Sequence, residues 1–321
     1  MNLVGVDLGG TKCVVVLAEI SANSIPKILW KSEKHRTLDY SPQEMLELLA
    51  KDVEHCFTLS AAVPPSAIGI SCGGPLNSKD GIILSPPNMK FWDNIAVSAF
   101  FEDRFSVPCR LCNDANAGAL VEWKWGAGRN YQNVIFMTFG TGMGAGLILN
   151  GKLYEGASDM AGEIGHVRIS QFGPSGYGKI GSFEGFCSGG GIAQLADTII
   201  EKHRQTGDYS GIASLRVPIT AETVGQAAKN DDPIAIEILQ ESGNKLGYGL
   251  SILVDILNPE VIIIGSIFSR CQKWLWPAAE KVIASETLAS NRRACTVVPA
   301  ELDEHIGDYA SIAVACECIS K

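Results

Sequence analysis

Apolar and polar positions divide the chain into short β-patterned runs and longer helical ones. Leu3 to Leu17 is almost continuously apolar except for Asp7-Leu-Gly-Gly-Thr-Lys12 at its centre, so it predicts two buried strands joined by a tight turn. Residues 25–36 continue the strand pattern. Ser41-Pro42-Gln43-Glu44 opens a helix to about Phe57, with Ser41 as N-cap, Pro42 in the first turn and Glu44 closing a capping box. Ala67–Cys72 predicts a buried strand running into Gly73-Gly74-Pro75. A short strand at 82–84, a helix around 95–105 and a strand at 107–112 follow, and Asn113-Asp114 opens the next helix. Helices are expected near 190–204, near 220–229 and from about Asp232 to Leu257. In the last, Ile234, Ile238, Leu246, Leu250, Leu253, Val254 and Leu257 make an apolar stripe at helical spacing. The polar segment 206–219 predicts a surface connection, Glu260–Gly265 a buried strand, and Asp308 to Ile319 a final helix.

Val134 to Leu149 repeats the opening pattern of strand, glycine turn and strand, here around Gly140-Thr-Gly-Met-Gly-Ala-Gly146. Glycines at a tight turn let backbone N–H groups converge on an anion without side-chain obstruction. Two such turns, each with a Thr, predict a cleft that grips a polyphosphate from both sides. Gly140–Ala145 also fits the G-x-G-x-x-A dinucleotide pattern, but that pattern needs a following helix. The chain instead continues as a β-patterned run to an Asn150-Gly151 turn. Gly9-Gly10-Thr11-Lys12 lacks the full P-loop spacing, and Val14-Val15-Val16 after it is strand-prone.

A length of 321 residues predicts two domains, and alternation of strands and helices predicts an α/β architecture. The net charge of −9 with no basic block argues against non-specific nucleic-acid binding. With the first strand at Leu3 there is no room for a basic leader, and no apolar run approaches membrane-spanning length, so the expected compartment is the cytoplasm, away from any membrane. The ten cysteines are then expected as reduced thiols. Cys109-x-x-Cys112 lacks a second half-site and lies in a strand, where residues three apart face opposite sides.

Asp114 is the candidate catalytic base: it sits where a strand ends and a helix begins, a place where α/β sheets present reactive groups. The same position is also that of an ordinary Asn/Asp helix cap. Glu163 and His166 could meet one face of a ligand, or form a simple exposed turn pair.

With Asp7–Lys12, Asn113-Asp114-Ala-Asn-Ala117, Gly140–Gly146, Asn150-Gly151, Ala161-Gly-Glu-Ile-Gly-His166, Gly181-Ser-Phe-Glu184 and Asn258–Gly265 in this order, nearly the whole chain resembles the ROK family of sugar kinases and related repressors. This resemblance implies a two-lobed actin-like ATPase (ribonuclease H-like) fold with a central cleft. The small lobe would be 1–113 plus about 305–321, and the large lobe 114–304. It further implies that Asp114 takes the proton from a hexose hydroxyl, the 6-OH of glucose or a similar aldohexose or amino sugar, as that hydroxyl attacks ATP. Asp7 (indirectly, through Mg²⁺), Gly9, Gly10, Thr11, Lys12, Gly140, Thr141 and Gly142 would hold the Mg²⁺-bound phosphates, with Gly265 and Ser266 near the adenosine. Gly74, Asn88, Asn113, Glu163, His166 and Glu184 would bind sugar hydroxyls. A homodimer is also implied.

The chain departs from the family pattern in three places. Ser175, Tyr177 and Ser182 stand where similar kinases carry zinc-binding cysteines, so no structural zinc is expected. Gly73-Gly74-Pro75 replaces Pro-Gly-Pro, and Gly265-Ser266 replaces Gly-Gly. The rival expectations are a sugar-sensing regulator, whose relatives carry an added N-terminal helix-turn-helix, and a catalytically silent sugar-binding protein.

Overall fold

The computed structural model describes residues 1–21, 24–302 and 306–319. The expected return of the chain to the small lobe at about residue 305, and the last two residues, lie outside the described residues.

β1 (Asn2–Leu8) and β2 (Lys12–Glu19) form the first glycine-tipped hairpin, and β3 (Lys27–Lys31) and β4 (His35–Arg36) pair antiparallel with β2. α1 (Pro42–Leu59) begins with the expected capping box of Ser41 and Glu44 and leads to β5 (Pro65–Cys72), parallel to β1. β6 (Leu76–Asn77), β7 (Ile82–Leu84) and β8 (Asp93–Ala96) make a small antiparallel sheet before α2 (Val97–Phe105) and β9 (Cys109–Asn113). α3 (Asp114–Trp125) then crosses to the second half.

There β10 (Val134–Phe139) and β11 (Met143–Leu149) form the second glycine-tipped hairpin, extended by β12 (Lys152–Leu153). A minimal hairpin of β13 (Ser175–Gly176) and β14 (Lys179–Ile180) precedes α4 (Phe183–Phe186), α5 (Gly189–Gln205), α6 (Ala221–Lys229) and α7 (Pro233–Leu257). β15 (Val261–Ile264), α8 (Ile267–Glu286), α9 (Ala289–Ala294), β16 (Thr296–Pro299) and α10 (Ile306–Glu317) complete the chain.

The two large sheets share one topology. The first runs β3-β2-β1-β5-β9 and the second β12-β11-β10-β15-β16, each an antiparallel meander joined to two parallel strands. Alternate residues of each strand feed different cores, as the two-residue repeat of a strand requires. Val4, Val6, Leu8, Ile68 and Ile70 pack against Met45, Leu49 and Val53 of α1 and Phe101 of α2. On the second sheet, Ile135, Met137, Ile262 and Ile264 pack against α5, α7 and α8. Between the sheets, Leu3, Val14, Val134, Phe136, Val261 and Ile263 enclose Leu120 and Val121 of α3 and Ile312 and Val314 of α10. Cys109 belongs to the outer core of the first sheet and Cys112 to this central one, so they do face opposite ways.

The inserted helices fit because their contact positions carry almost no side chain. A Cβ on Gly69 of β5 would collide with the backbone of Ser311 and Ala315 in α10, and one on Gly146 of β11 with Ala115 and Ala119 in α3. The sequence reading assigned nothing to 267–299, where α8, α9 and β16 lie. Pro277 inside α8 interrupts its pattern, and β16 is only four residues long. Among the described residues no helix is long and apolar enough to cross a membrane.

Gly69→Ala is expected to destabilise the fold by about 1–3 kcal/mol through overpacking against helix backbone that cannot step aside. A chemical unfolding curve unchanged from the wild type would refute this packing argument.

Candidate functional site

The first hairpin presents Asp7 to the central layer. Because Leu3, Gly5 and Asp7 alternate with core residues, they face α10; a Cβ on Gly307 would lie 3.8 Å from Asp7 Oδ2. The turn is braced from beneath: Gly9 N–H donates to Lys12 O at 3.1 Å, Thr37 Oγ1 donates to Gly9 O at 2.6 Å, and Thr37 N–H donates to Thr11 O at 3.1 Å. Gly10 is glycine for a steric reason, since a Cβ there would stand 2.7 Å from Asn88 Cβ. Asn88 is thereby seated beside the turn. Burial pushes the Asp7 carboxyl up to about 6, opposed by Lys12 and Lys31 and reinforced by Asp114 and Asp308.

The second hairpin lies between two helix starts. Gly140 N–H donates to Gly142 O at 3.1 Å, and Gly189 N–H at the head of α5 donates to Gly140 O at 2.7 Å. A Cβ on Gly140 would stand 3.5 Å from Ser266 Oγ, at the head of α8, and the Cβ position of Gly189 is 3.9 Å from Thr141 Cα. Gly265 N–H is tied to Met137 O at 3.1 Å. Helix N-termini favour anions, each by about 0.3–1 kcal/mol. The contribution of α5 was missed from sequence, although Ser188-Gly-Gly-Gly191, a serine cap before bare backbone, was its signal; Ser188 Oγ accepts from Gly191 N–H at 3.0 Å.

Asp114 occupies the first turn of α3. Asn113 is the residue that caps this helix, accepting Ala115 N–H at 2.9 Å, while Asp114 Oδ1 accepts the same N–H at 2.8 Å. Asp114 is open to solvent on one side yet crowded by protein, and this desolvation raises its carboxyl above the usual range against the lowering effect of the backbone N–H groups. Glu163 is raised too, first by desolvation, then by the charges of Asp114 and Glu184, with His166 opposing. The charge of Asp114 thus contributes to the raised carboxyls of both Asp7 and Glu163. Glu184 Oε2 accepts Met143 N–H at 2.9 Å and lies 2.9 Å from the Cβ position of Gly142, which links that group to the second hairpin. The Cβ position of Gly74 is 3.2 Å from Asn113 Nδ2, and the Gly74–Pro75 peptide is cis. Contacts thus seat Asn88 beside Gly10, Gly74 beside Asn113, Glu184 against the second hairpin and Ser266 beside Gly140.

The loop after His166 is held by hydrogen bonds. Buried Ser182 Oγ accepts from Gly185 N–H at 3.1 Å and from Gly176 N–H at 3.2 Å. Gln194 brackets Ser175, accepting its N–H and donating to its carbonyl, both at 2.9 Å. Lys179 Nζ donates to His166 O at 2.6 Å, and the Tyr177 ring meets the His166 ring edge-on at 6.4 Å between centroids. Ser175, Tyr177 and Ser182 do not fit a zinc site: they offer hydroxyls in place of thiolates, and Ser182 is already committed to the head of α4.

The ROK family description matches residues 3–315. The chain belongs to the ROK family. Its fold is accordingly the actin-like sugar-kinase fold. Among ROK relatives, the xylose repressor of Caldicellulosiruptor bescii is 29% identical over 83% of this chain, which spans 65% of that repressor's length. The glucokinase of Thermotoga maritima is also 29% identical, over 88% of this chain and 87% of its own. The crystal structure of a ROK family glucokinase from Streptomyces griseus in complex with glucose and AMPPNP superposes with a TM-score of 0.74 at 26% identity, covering 99% of both chains.

Against that family pattern, two departures carry a backbone cost: Ser266 adopts φ 65° and ψ −116°, a region favouring glycine, and Tyr177 adopts φ 45°. Ser266→Gly is expected to raise stability by about 1 kcal/mol as this strain is relieved. A lower or unchanged unfolding midpoint would count against it. Elemental analysis of protein purified without chelators should find no stoichiometric zinc; one tightly held zinc per chain would overturn the reading of Ser175, Tyr177 and Ser182.

Proposed function

We propose that this chain is an ATP-dependent hexose kinase, phosphorylating the 6-hydroxyl of glucose or of a similar aldohexose or amino sugar. The observation that carries the reading is the position of Asp114 in the first turn of α3, directly after β9 and beside the cap residue Asn113, where desolvation raises its carboxyl. A pyranose presents several hydroxyls that both donate and accept, which carboxylates, the amide of Asn113 and an imidazole can pair. In this reading Asp114 accepts the proton of the attacking hydroxyl. Gly74, Asn88, Asn113, Glu163, His166 and Glu184 hold the other hydroxyls. Gly9–Lys12 and Gly140–Gly142 cradle the triphosphate, with Gly265 and Ser266 beside the adenosine. Positioning and charge stabilisation dominate phosphoryl transfer, so a carboxylate is base enough.

Among the described residues no three His, Cys, Asp or Glu side chains are grouped to hold a metal ion by themselves. Mg²⁺ would neutralise phosphate charge when bound, held by Asp7 indirectly. The lobes are proposed as 1–113 with about 305–321, and 114–304, closing to exclude water from the transfer. A homodimer belongs to the same proposal, supported by the exposed row Tyr248, Ile252 and Ile256 on α7, each four residues from the next.

A coupled assay of ADP release with Mg-ATP across a hexose panel tests the reading. Asp114→Ala is expected to lower kcat by at least about 100-fold while sugar binding survives in part. The wild-type kcat/KM should fall on the acid side with an apparent pKa above the ordinary aspartate value of about 4. Near-normal turnover in the variant would remove the assigned base. The second reading, a sugar-responsive regulator, is favoured by the similarity to the xylose repressor. Binding of a sugar without any turnover would establish it over the kinase.

A further inference from the structure

The segment between β12 and Glu163 is fastened at two points to residues of the first half of the chain. Glu155 accepts from Arg110 Nη2 of β9 with both carboxylate oxygens, at 3.1 and 3.2 Å. Asp159 takes two donors from one residue: Ser78 N–H to Oδ2 at 2.6 Å and Ser78 Oγ to Oδ1 at 2.8 Å. Asp159 and Ser78 are 81 positions apart, and both are partly buried. The segment is also closed on itself, since Ala161 N–H donates to Glu155 O at 3.2 Å. Asp159 holds a left-handed conformation at φ 59°, which aspartate tolerates better than most side chains.

What these contacts join matters more than their number. Ser78 follows Gly74 by four residues, on the short β6–β7 hairpin that continues from Pro75. Asp159 precedes Glu163 by four residues. Gly74 lies against Asn113, and Glu163 is coupled to Asp114. The two loops that bring these residues to the site meet at Ser78 and Asp159.

We infer that Asp159 is a positioning residue: its two-pronged grip on Ser78 clasps the Gly74 loop to the Glu163 loop and sets the width of the sugar-binding gap. This rests on the hexose reading of the site. Asp159 touches neither the proposed base nor a phosphate turn, so the clasp acts on sugar affinity and leaves the transfer chemistry alone. A carboxylate receiving both a backbone N–H and a hydroxyl fixes distance and orientation together, which a single neutral hydrogen bond does not. Ser78→Ala removes one prong and keeps the backbone one; Asp159→Ala removes both.

Two measurements separate the clasp from the reading that surrounds it. In the absence of sugar, hydrogen exchange over 76–80 and 156–162 is expected to quicken by about 10-fold in Asp159→Ala, with the rest of the chain unchanged. With sugar, Asp159→Ala should raise the hexose KM and Kd by about 10-fold while kcat and the ATP KM stay within about 2-fold of wild type. Ser78→Ala should show a smaller rise of about 3-fold, and none once Asp159 is already alanine. Unchanged exchange in both segments, or an equal fall in kcat with no change in sugar affinity, overturns the clasp. If instead the wild-type chain binds no hexose of the panel, the functional reading fails, and the exchange experiment still decides whether Asp159 holds the loops together. Should Asp159→Ala not fold, Ser78→Ala carries both measurements.

Discussion

The structure depends on the burial of α3 and α10 between two sheets, at contacts where glycine, alanine and serine leave room only for backbone. Gly69 meets α10 and Gly146 meets α3, so neither helix can slide or rotate without collision. Such close packing is expensive to disturb, because protein interiors yield little to an added methyl group. α3 begins at Asp114, and Gly307 of α10 lies beside Asp7, so both carboxylates stand at the ends of this packed layer.

The same geometry explains the electrostatics. Asp7 is raised by burial and by neighbouring Asp114 and Asp308, and Glu163 by burial and by Asp114 and Glu184. Opposing charge comes from Lys12 and Lys31 at Asp7 and from His166 at Glu163.

Much of this was legible in the residue pattern. The hairpins could be read because glycine turns between apolar runs are local signals, and the capping box of α1 for the same reason. The junction at Asn113-Asp114 was legible as a helix start, but its division of labour was not, since either residue could have been the cap. α8, α9 and β16 escaped because a proline inside one helix and the shortness of the strand blur their periodicity. The role of Gly10 was only half read: its lack of a side chain also makes space for Asn88. Ser78 and Asp159 carried no local signal at all, as solitary polar residues in loops become partners only through the tertiary fold.

That Asn113 does the capping has an evolutionary corollary. Both side chains accept the Ala115 N–H, so in the proposed kinase Asn113 still caps the helix when the carboxylate beside it is lost. A lineage could discard catalysis at one codon and still inherit an intact ligand receptor. Such separability gives a physical route by which one architecture comes to serve both the glucokinases and the repressors among its relatives.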